Sequence, residues 1–543
     1  MTVSKTERRA ELQQWLRMVE SLRDCPDWDQ GELPIEMIRT HISVVLLGKR
    51  HVLKLKKPVD LGFLDYTTLE KRRDACQAEV ELNSRLCAGY YEGVQPISRI
   101  DGKLRFSDRG PVVEYGVMMK RLPTEQMLDH LLARGEVTEA IIERVADRLS
   151  EFHRAARRGP EVDAFGSPDL IAGNWQENFD QTAPYIDRTI AAETYKSIRV
   201  WVTRWLGEHQ ELFRTRVREG HIRDGHGDIR AESICVTDGL YIFDCIEFNE
   251  RFRFSDVASE VAFLAMDLDA RGRPDLGYFF SEQYDFRCAD PDLFKLLPFY
   301  RCYRAYIRGK VQSFRLDETE LTFLEREVAA LRARRYFDLA ARYASPLRSP
   351  SVIAVTGLPG SGKTSIARAI AGELGLRFLS SDAVRKTLFE IKGRHEYGMG
   401  PYGAEANRLT YQTLVERGRG LLAQHRGVVL DATFRRNADR ALSREMALNA
   451  GAQWIVIECR LPPEVVRERL ERRVALGEGL SDAAWETYVR QRSEFEPFED
   501  RDSPRLDLDT SADLAVVAHR ATDWLRGTES PSASVLRSKL SFR

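Results

Sequence analysis

The chain has no long apolar run, no CxxC pair and no surplus of either charge, and each absence removes a class of function. No stretch approaches the roughly 18 apolar residues of a membrane span, so no transmembrane helix and no membrane partner are expected. The eight cysteines, at 25, 76, 87, 235, 245, 288, 302 and 459, show no paired spacing. In a chain this large, that pattern predicts reduced, buried thiols of a cytoplasmic protein and argues against a zinc site. Lys and Arg number 82 against 83 Asp and Glu, for a net charge of -1. No dominant nucleic-acid or membrane-surface field is indicated, although a local basic patch stays open. Gly (36) and Pro (21) are modest among 543 residues, and 43% are hydrophobic. Disordered, collagenous and low-complexity classes are therefore excluded. At roughly 100–200 residues per domain, the length predicts about three or four compact units.

Leu12, Trp15, Leu16, Val19 and Leu22 recur at helical spacing between charges. They predict an amphipathic helix rather than a signal peptide. The clearest seam is 341–350, ARYASPLRSP, after a long charged helical pattern from Leu321 to Tyr343 and before the β-branched run SVIAVTG. It divides the chain into a half at 1–345 and a half at 350–526, with a loose tail at 527–543. No internal repeat is visible.

The second half opens on a predicted buried strand, Ser351–Thr356. Next come Gly357, Leu358, Pro359, Gly360, Ser361, Gly362, Lys363 and Thr364, the pattern G-x-x-x-x-G-K-[ST]. Ile366, Ile370 and Leu374 then share one helical face, and Gly375 ends the helix. The glycines let backbone N–H groups converge on phosphate oxygens, and the helix N-terminus adds positive charge. Lys363 reaches the β/γ-phosphates and Thr364 can hold Mg²⁺. Further strands at 377–381, 428–431, 454–458 and 506–508 predict an α/β fold with a parallel sheet. Asp431, closing one of them, is either a Mg²⁺ carboxylate or a helix N-cap. Asp382 and Arg385 form D-x-x-R beyond a strand end. They are either a base with a substrate-holding cation, or an i,i+3 ion pair. The helix at 463–475 carries Arg467, Arg469, Arg472 and Arg473, which either close on phosphates or form a solvated face with Glu464, Glu468 and Glu471.

These residues resemble the P-loop small-molecule and nucleic-acid kinases of the zeta-toxin, chloramphenicol phosphotransferase and polynucleotide kinase sort, over about 350–520. A motor AAA ATPase would place a glutamate beside the strand-end Asp, whereas Asp431 is followed by Ala432.

In the first half the strongest signal is His226-Gly-Asp228, followed by IRAESICV and LYIFDCIEFN. The Asp-Gly turn in Val236–Leu240 predicts a hairpin over 233–245. Asp228 then precedes the hairpin and Asp244 leaves it. A kinase-type site needs two such carboxylates, one accepting the proton of the attacking hydroxyl and one on Mg²⁺. A helical stretch at 137–157 carries His153, read as a core or surface histidine rather than a ligand.

Here the sequence resembles the aminoglycoside phosphotransferase family, which implies an α+β, protein-kinase-like fold. The resemblance makes Asp228 the base and puts Asp244 on the metal. Ser233 stands at the family's second metal ligand, an Asn, and Glu247 either compensates or meets substrate. Lys54 falls where the family's phosphate-binding lysine lies, with Lys56 its rival on the same strand face. Glu79, in the helical stretch 72–86, is the matching acid. Val112–Met119 resembles the strand and hinge where adenine docks. Asp256 opens the apolar helix VASEVAFLAMDL, where it can serve as N-cap, and the resemblance implies that it also braces the catalytic loop.

Two such modules in one chain resemble the bifunctional aminoglycoside phosphotransferase-like and AAA-type ATP-binding predicted kinases. That implies ATP, Mg²⁺ and a small-molecule hydroxyl acceptor. Arg301, Arg304, Arg308 and Lys310 beside Asp285, Asp290 and Asp292 leave the acceptor's charge open. Three functions stand: a small-molecule kinase, a degenerate N-terminal kinase that senses a ligand and regulates the second half, and an RNA or nucleotide 5′-hydroxyl kinase.

Overall fold

The computed structural model describes residues 5–25, 35–62, 64–318, 321–391, 400–476, 485–498 and 503–529. Most of the expected tail, 530–543, lies outside them. The chain forms two compact units.

Unit 1 comprises 1–137, 147–171 and 211–260. Its strands β1 (Glu36–Arg39), β2 (Ser43–Leu47), β3 (His51–Lys56), β4 (Tyr91–Ile100), β5 (Lys103–Arg105) and β6 (Val112–Lys120) form an antiparallel sheet in the order β1-β2-β3-β6-β4-β5. Alternation sends Leu53 and Leu55 of β3 into a core with Trp15, Leu16 and Val19 of the helix Lys5–Ser21. The other face of β3 is left for Lys54 and Lys56. The helix Leu69–Ser84 starts on Thr68, whose hydroxyl accepts the Lys71 N–H at 3.2 Å, and it carries Glu79. Two small antiparallel pairs complete the unit. One joins β7 (Ile222–Asp224) to β10 (Phe254–Asp256), and the other is the hairpin of β8 (Ile234–Val236) and β9 (Leu240–Ile242). The hairpin lies where the Asp-Gly turn places it.

Unit 2 comprises 138–146, 172–210 and 261–543. A parallel sheet of β11 (Ser351–Thr356), β12 (Arg377–Ser380), β13 (Gly427–Asp431), β14 (Gln453–Arg460) and β15 (Arg505–Asp509) runs in the order β12-β13-β11-β14-β15. All six residues of β11 are buried, as a strand covered on both faces requires. The compact units do not divide at the 341–350 seam. The helices after 260 find their partners beside the P-loop helix Lys363–Leu374. The Phe378 N–H donates to the Tyr278 hydroxyl at 2.9 Å, and Arg342 Nε to Glu373 at 2.9 Å. A Cβ on Gly375, whose φ is 65°, would lie 2.5 Å from Pro298.

The mixed charges of the 301–310 helix are internal to this packing. Arg301 binds Asp269 at 3.2 Å, Arg304 covers the Phe263 ring, Arg308 the Tyr336 ring, and Lys310 binds Asn178 and Gln181. All eight cysteines are free thiols, seven of them buried. Among the described residues, no helix is long and apolar enough to cross a membrane.

Candidate functional site

In unit 2 the run Gly357–Thr364 leaves β11 and enters the helix Lys363–Leu374. Gly357, Gly360 and Gly362 hold φ of 153°, 77° and 79°, a region that favours glycine. A Cβ on Gly357 would meet the Ser361 Oγ at 2.5 Å and the Cys459 carbonyl oxygen at 2.8 Å. One on Gly360 would meet Val466 at 2.9 Å. Leu358 packs on Val466, Leu470 and Tyr488, so the loop is backed by the helix Pro463–Leu476. Thr364 Oγ1 donates to Asp431 Oδ2 at 2.8 Å. Asp431 is buried, and its Oδ1 has no hydrogen-bond partner. An orphaned buried carboxylate oxygen is costly in a native fold. Beside a threonine hydroxyl at the head of a P-loop helix, it is a donor set that fits Mg²⁺.

Asp382 lies at the start of the helix Ser381–Phe389, and burial pushes its carboxyl above the ordinary range. Its ion partner is Lys386 at 3.4 Å. Arg385 turns instead to the Pro401 carbonyl at 2.7 Å and Asn407 Oδ1 at 2.8 Å, over the Tyr402 ring. Asp439, not singled out from sequence, is pushed up to about 6 by burial.

Of the arginines on the Pro463–Leu476 helix, Arg469 is the one against the loop. It donates to the Thr510 carbonyl at 3.0 Å, and the Thr510 hydroxyl donates to the Ser361 carbonyl at 2.7 Å. Arg467 bonds Glu471 on an exposed face at 2.9 Å, and Arg472 is exposed. Of the arginines expected at the phosphates, Arg467 and Arg472 thus lie on an exposed face, and Arg469 lies beside the loop. Helical phase sets this: a Cβ on Gly362 would lie 3.4 Å from Arg469 Nη1. Arg469→Ala is expected to weaken nucleotide binding about tenfold, the size of one charge-assisted hydrogen bond. Arg467→Ala should leave it unchanged, and calorimetric titration of both variants checks the contrast.

In unit 1 the separately read residues converge. Lys54 Nζ lies 2.8 Å from Glu79 Oε1 and 2.7 Å from Asp244 Oδ1. Lys56 bonds Glu79 and Glu247, and Tyr66 donates to Glu247 at 2.8 Å. Thus both rival lysines meet Glu79, but Lys54 alone of the two bonds Asp244. Glu247 is an internal partner of Lys56. Burial works against the Lys54 ammonium, yet Asp244, Glu79 and Glu247 hold its pKa well above the usual value. The same ammonium holds the Asp244 carboxyl well below its own. Asp244 also sits at φ 65°, a strained backbone for a non-glycine residue.

The loop carrying Asp228 is braced from beneath. Glu260 Oε1 accepts the His226 N–H at 2.7 Å and also the Gly227 N–H. Glu260 Oε2 lies 2.8 Å from His153 Nε2. Burial lowers the His226 pKa and keeps the ring neutral. In that form Nδ1 accepts the Asp228 N–H at 3.3 Å and Nε2 donates to the Phe243 carbonyl at 3.0 Å. Asp256 is the N-cap of its helix, accepting the Ala258 N–H at 2.9 Å, and it pairs with buried Arg216 at 2.8 Å. The signal for Glu260 was its place as a lone carboxylate in the apolar run VASEVAFLAM. The Ser233 hydroxyl closes a turn on the backbone of Arg230.

Residues 352–498 match the AAA domain family. The uncharacterized protein Rv2004c of Mycobacterium tuberculosis is 32% identical over 459 residues, 83% of this chain and 88% of that protein. The chain belongs to that protein's family. A match of that length reaches both sides of the 341–350 seam, so the family keeps the two halves together. A cytidylate kinase of Archaeoglobus fulgidus is 31% identical over 150 residues, 26% of this chain and 71% of the kinase. Among solved structures, a gluconokinase of Sinorhizobium meliloti is 21% identical, with a TM-score of 0.25, covering 34% of this chain and 100% of its own. The second half of this chain is a P-loop, kinase-type domain.

Proposed function

We propose that the chain is an ATP-dependent phosphotransferase that moves the γ-phosphate of ATP to a hydroxyl of a small molecule. The observation that carries this is the Thr364–Asp431 pair, with its orphaned Asp431 Oδ1, at the head of the glycine cradle. The backbone N–H groups of Gly360–Thr364 and the Lys363 ammonium would hold the phosphates. Mg²⁺ on Thr364 and Asp431 would supply charge neutralisation at the β- and γ-phosphate oxygens. Asp382, its carboxyl raised by burial, would accept the proton of an acceptor hydroxyl. Arg385, fixed by Pro401 and Asn407, would orient that acceptor.

Unit 1 is read as a second, aminoglycoside phosphotransferase-like site, on the constellation Lys54, Glu79, Asp244 and Asp228. We take 341–350, which lies inside unit 2, as the joint at which the P-loop module begins. A second reading, in which unit 1 is a sensor, is favoured by one observation: both Asp228 carboxylate oxygens are already occupied by Arg230. The free thiols suit a reducing cytoplasm.

The experiment compares ATP turnover of wild type, Lys363→Ala and Asp228→Asn on a pooled metabolite extract, with phosphorylated products read by mass spectrometry. Loss of a different product in each variant supports two transfer sites. Loss of every product in Lys363→Ala and none in Asp228→Asn makes unit 1 the sensor. Unchanged products in both would sink the proposal.

A further inference from the structure

Arg230, two residues after Asp228, is buried and points its guanidinium at carboxylates. Nε donates to Asp228 Oδ1 at 3.1 Å, Nη2 to Asp228 Oδ2 at 2.7 Å, and Nη1 to Glu232. One hydroxyl clamps its backbone. Ser233 Oγ accepts the Arg230 N–H at 3.1 Å and donates to the Arg230 carbonyl at 2.8 Å. Ser233 thereby closes the turn from which the Arg230 side chain leaves. The Arg230 charge also helps hold the Asp244 carboxyl down, so it acts on both acids. The site thus holds two cation–carboxylate pairs, Arg230 on Asp228 and Lys54 on Asp244. A carboxylate with both oxygens on a guanidinium is a poor proton acceptor. A phosphoryl group, with several anionic oxygens, competes well for a planar bidentate donor.

We propose that Arg230 is a catalytic residue of unit 1, whose guanidinium passes from Asp228 to the oxygens of the transferring γ-phosphoryl group and so frees Asp228 as base. This rests on the reading of unit 1 as a transfer site. In the step, the acceptor O–H gives its proton to Asp228 and its oxygen forms a bond to the γ-phosphorus. The bond from that phosphorus to the bridging oxygen breaks, and its electron pair leaves with ADP. Arg230 neutralises charge on the γ-phosphoryl oxygens throughout. Ser233 is a positioning residue that holds the turn.

The test uses the full chain carrying Lys363→Ala, so that the P-loop is silent. Its probes are ATP, ADP, and ADP with aluminium fluoride as a mimic of the transferring group. Arg230→Ala is expected to lower kcat for the unit 1 product by about 10²–10³-fold, the cost of one preorganised donor. KM for ATP should change by less than about threefold, as for a contact made only in the transition state. Arg230→Ala should also abolish the preference for ADP–aluminium fluoride over ADP, which a merely structural ion pair would not affect. Arg230→Lys should recover part of both. If Arg230→Ala does not fold, Arg230→Lys and Ser233→Ala carry the test through the same preference. An Arg230→Ala protein that keeps kcat and the preference overturns the proposal while Asp228→Asn is inactive. If Asp228→Asn stays active, the reading of unit 1 as a transfer site falls, and the role of Arg230 falls with it.

Discussion

Lys363→Ala is expected to cut P-loop turnover by about 10²–10³-fold, the effect of removing one preorganised cation from developing phosphate charge. The fold should survive. Lys363 opens its helix from a half-exposed position, and the loop is held by contacts that do not involve its side chain. These are Leu358 on Val466 and Leu470, and the Thr510 hydroxyl on the Ser361 carbonyl. Asp431→Asn should give a different deficit. It keeps an acceptor for Thr364 Oγ1 but loses the charge that suits Mg²⁺, so its deficit should shrink as Mg²⁺ is raised. Calorimetric ATP titration with and without Mg²⁺ separates the two. Wild-type affinity in Lys363→Ala would remove the P-loop assignment.

Glu260→Ala is expected to be the most damaging single change in unit 1, costing about 3–5 kcal/mol as the broken half of a buried charged network. It would strip the acceptor from the His226 and Gly227 amides and the partner from His153 at once. The surrounding backbone is shaped to the carboxylate. A Cβ on Gly225 would lie 2.5 Å from Glu260 Oε2, and Gly227 holds φ 88°. Burial alone would raise the Glu260 carboxyl. The His153 hydrogen bond and charge, His226 and the Gly227 amide overcome it and hold the group at about 2, against an ordinary 4.5. A depressed native value stabilises the fold above the unfolded value. That stabilisation, about 3 kcal/mol, is therefore present above about pH 4.5 and drains as the pH falls towards 2. Glu260→Gln should flatten this acid limb of unfolding. Denaturant titrations at pH 7 and pH 3 measure both effects, and a loss below about 1 kcal/mol at pH 7 would contradict the brace.

The P-loop was legible because its chemistry is local. Gly357–Thr364 is contiguous, and β11 falls at Ser351–Thr356 as its β-branched run indicates. The Lys54 and Lys56 ambiguity was real physics, since alternation puts both on one face and both reach Glu79. Only the distant Asp244 and Glu247 tell them apart. Arg469 was hidden among neighbours of identical composition, because its role depends on which side of the helix meets Gly362. Glu260 was hidden by sequence distance, since nothing local ties residue 260 to the amides of 226 and 227. The ring contacts of Arg304 and Arg308 were not legible, because stacking on an aromatic ring leaves no mark in composition.

The contact of Thr510 with Ser361 bears on where this domain ends as a working unit. The stretch matching the AAA domain family stops at 498, before β15 and Thr510. A fragment cut there would keep every motif residue yet lose the sheet's last strand, the support of the Ser361 carbonyl and the anchor of Arg469. Its cradle would have the right letters and an open wall, so the smallest autonomous P-loop protein from this chain has to run past residue 510.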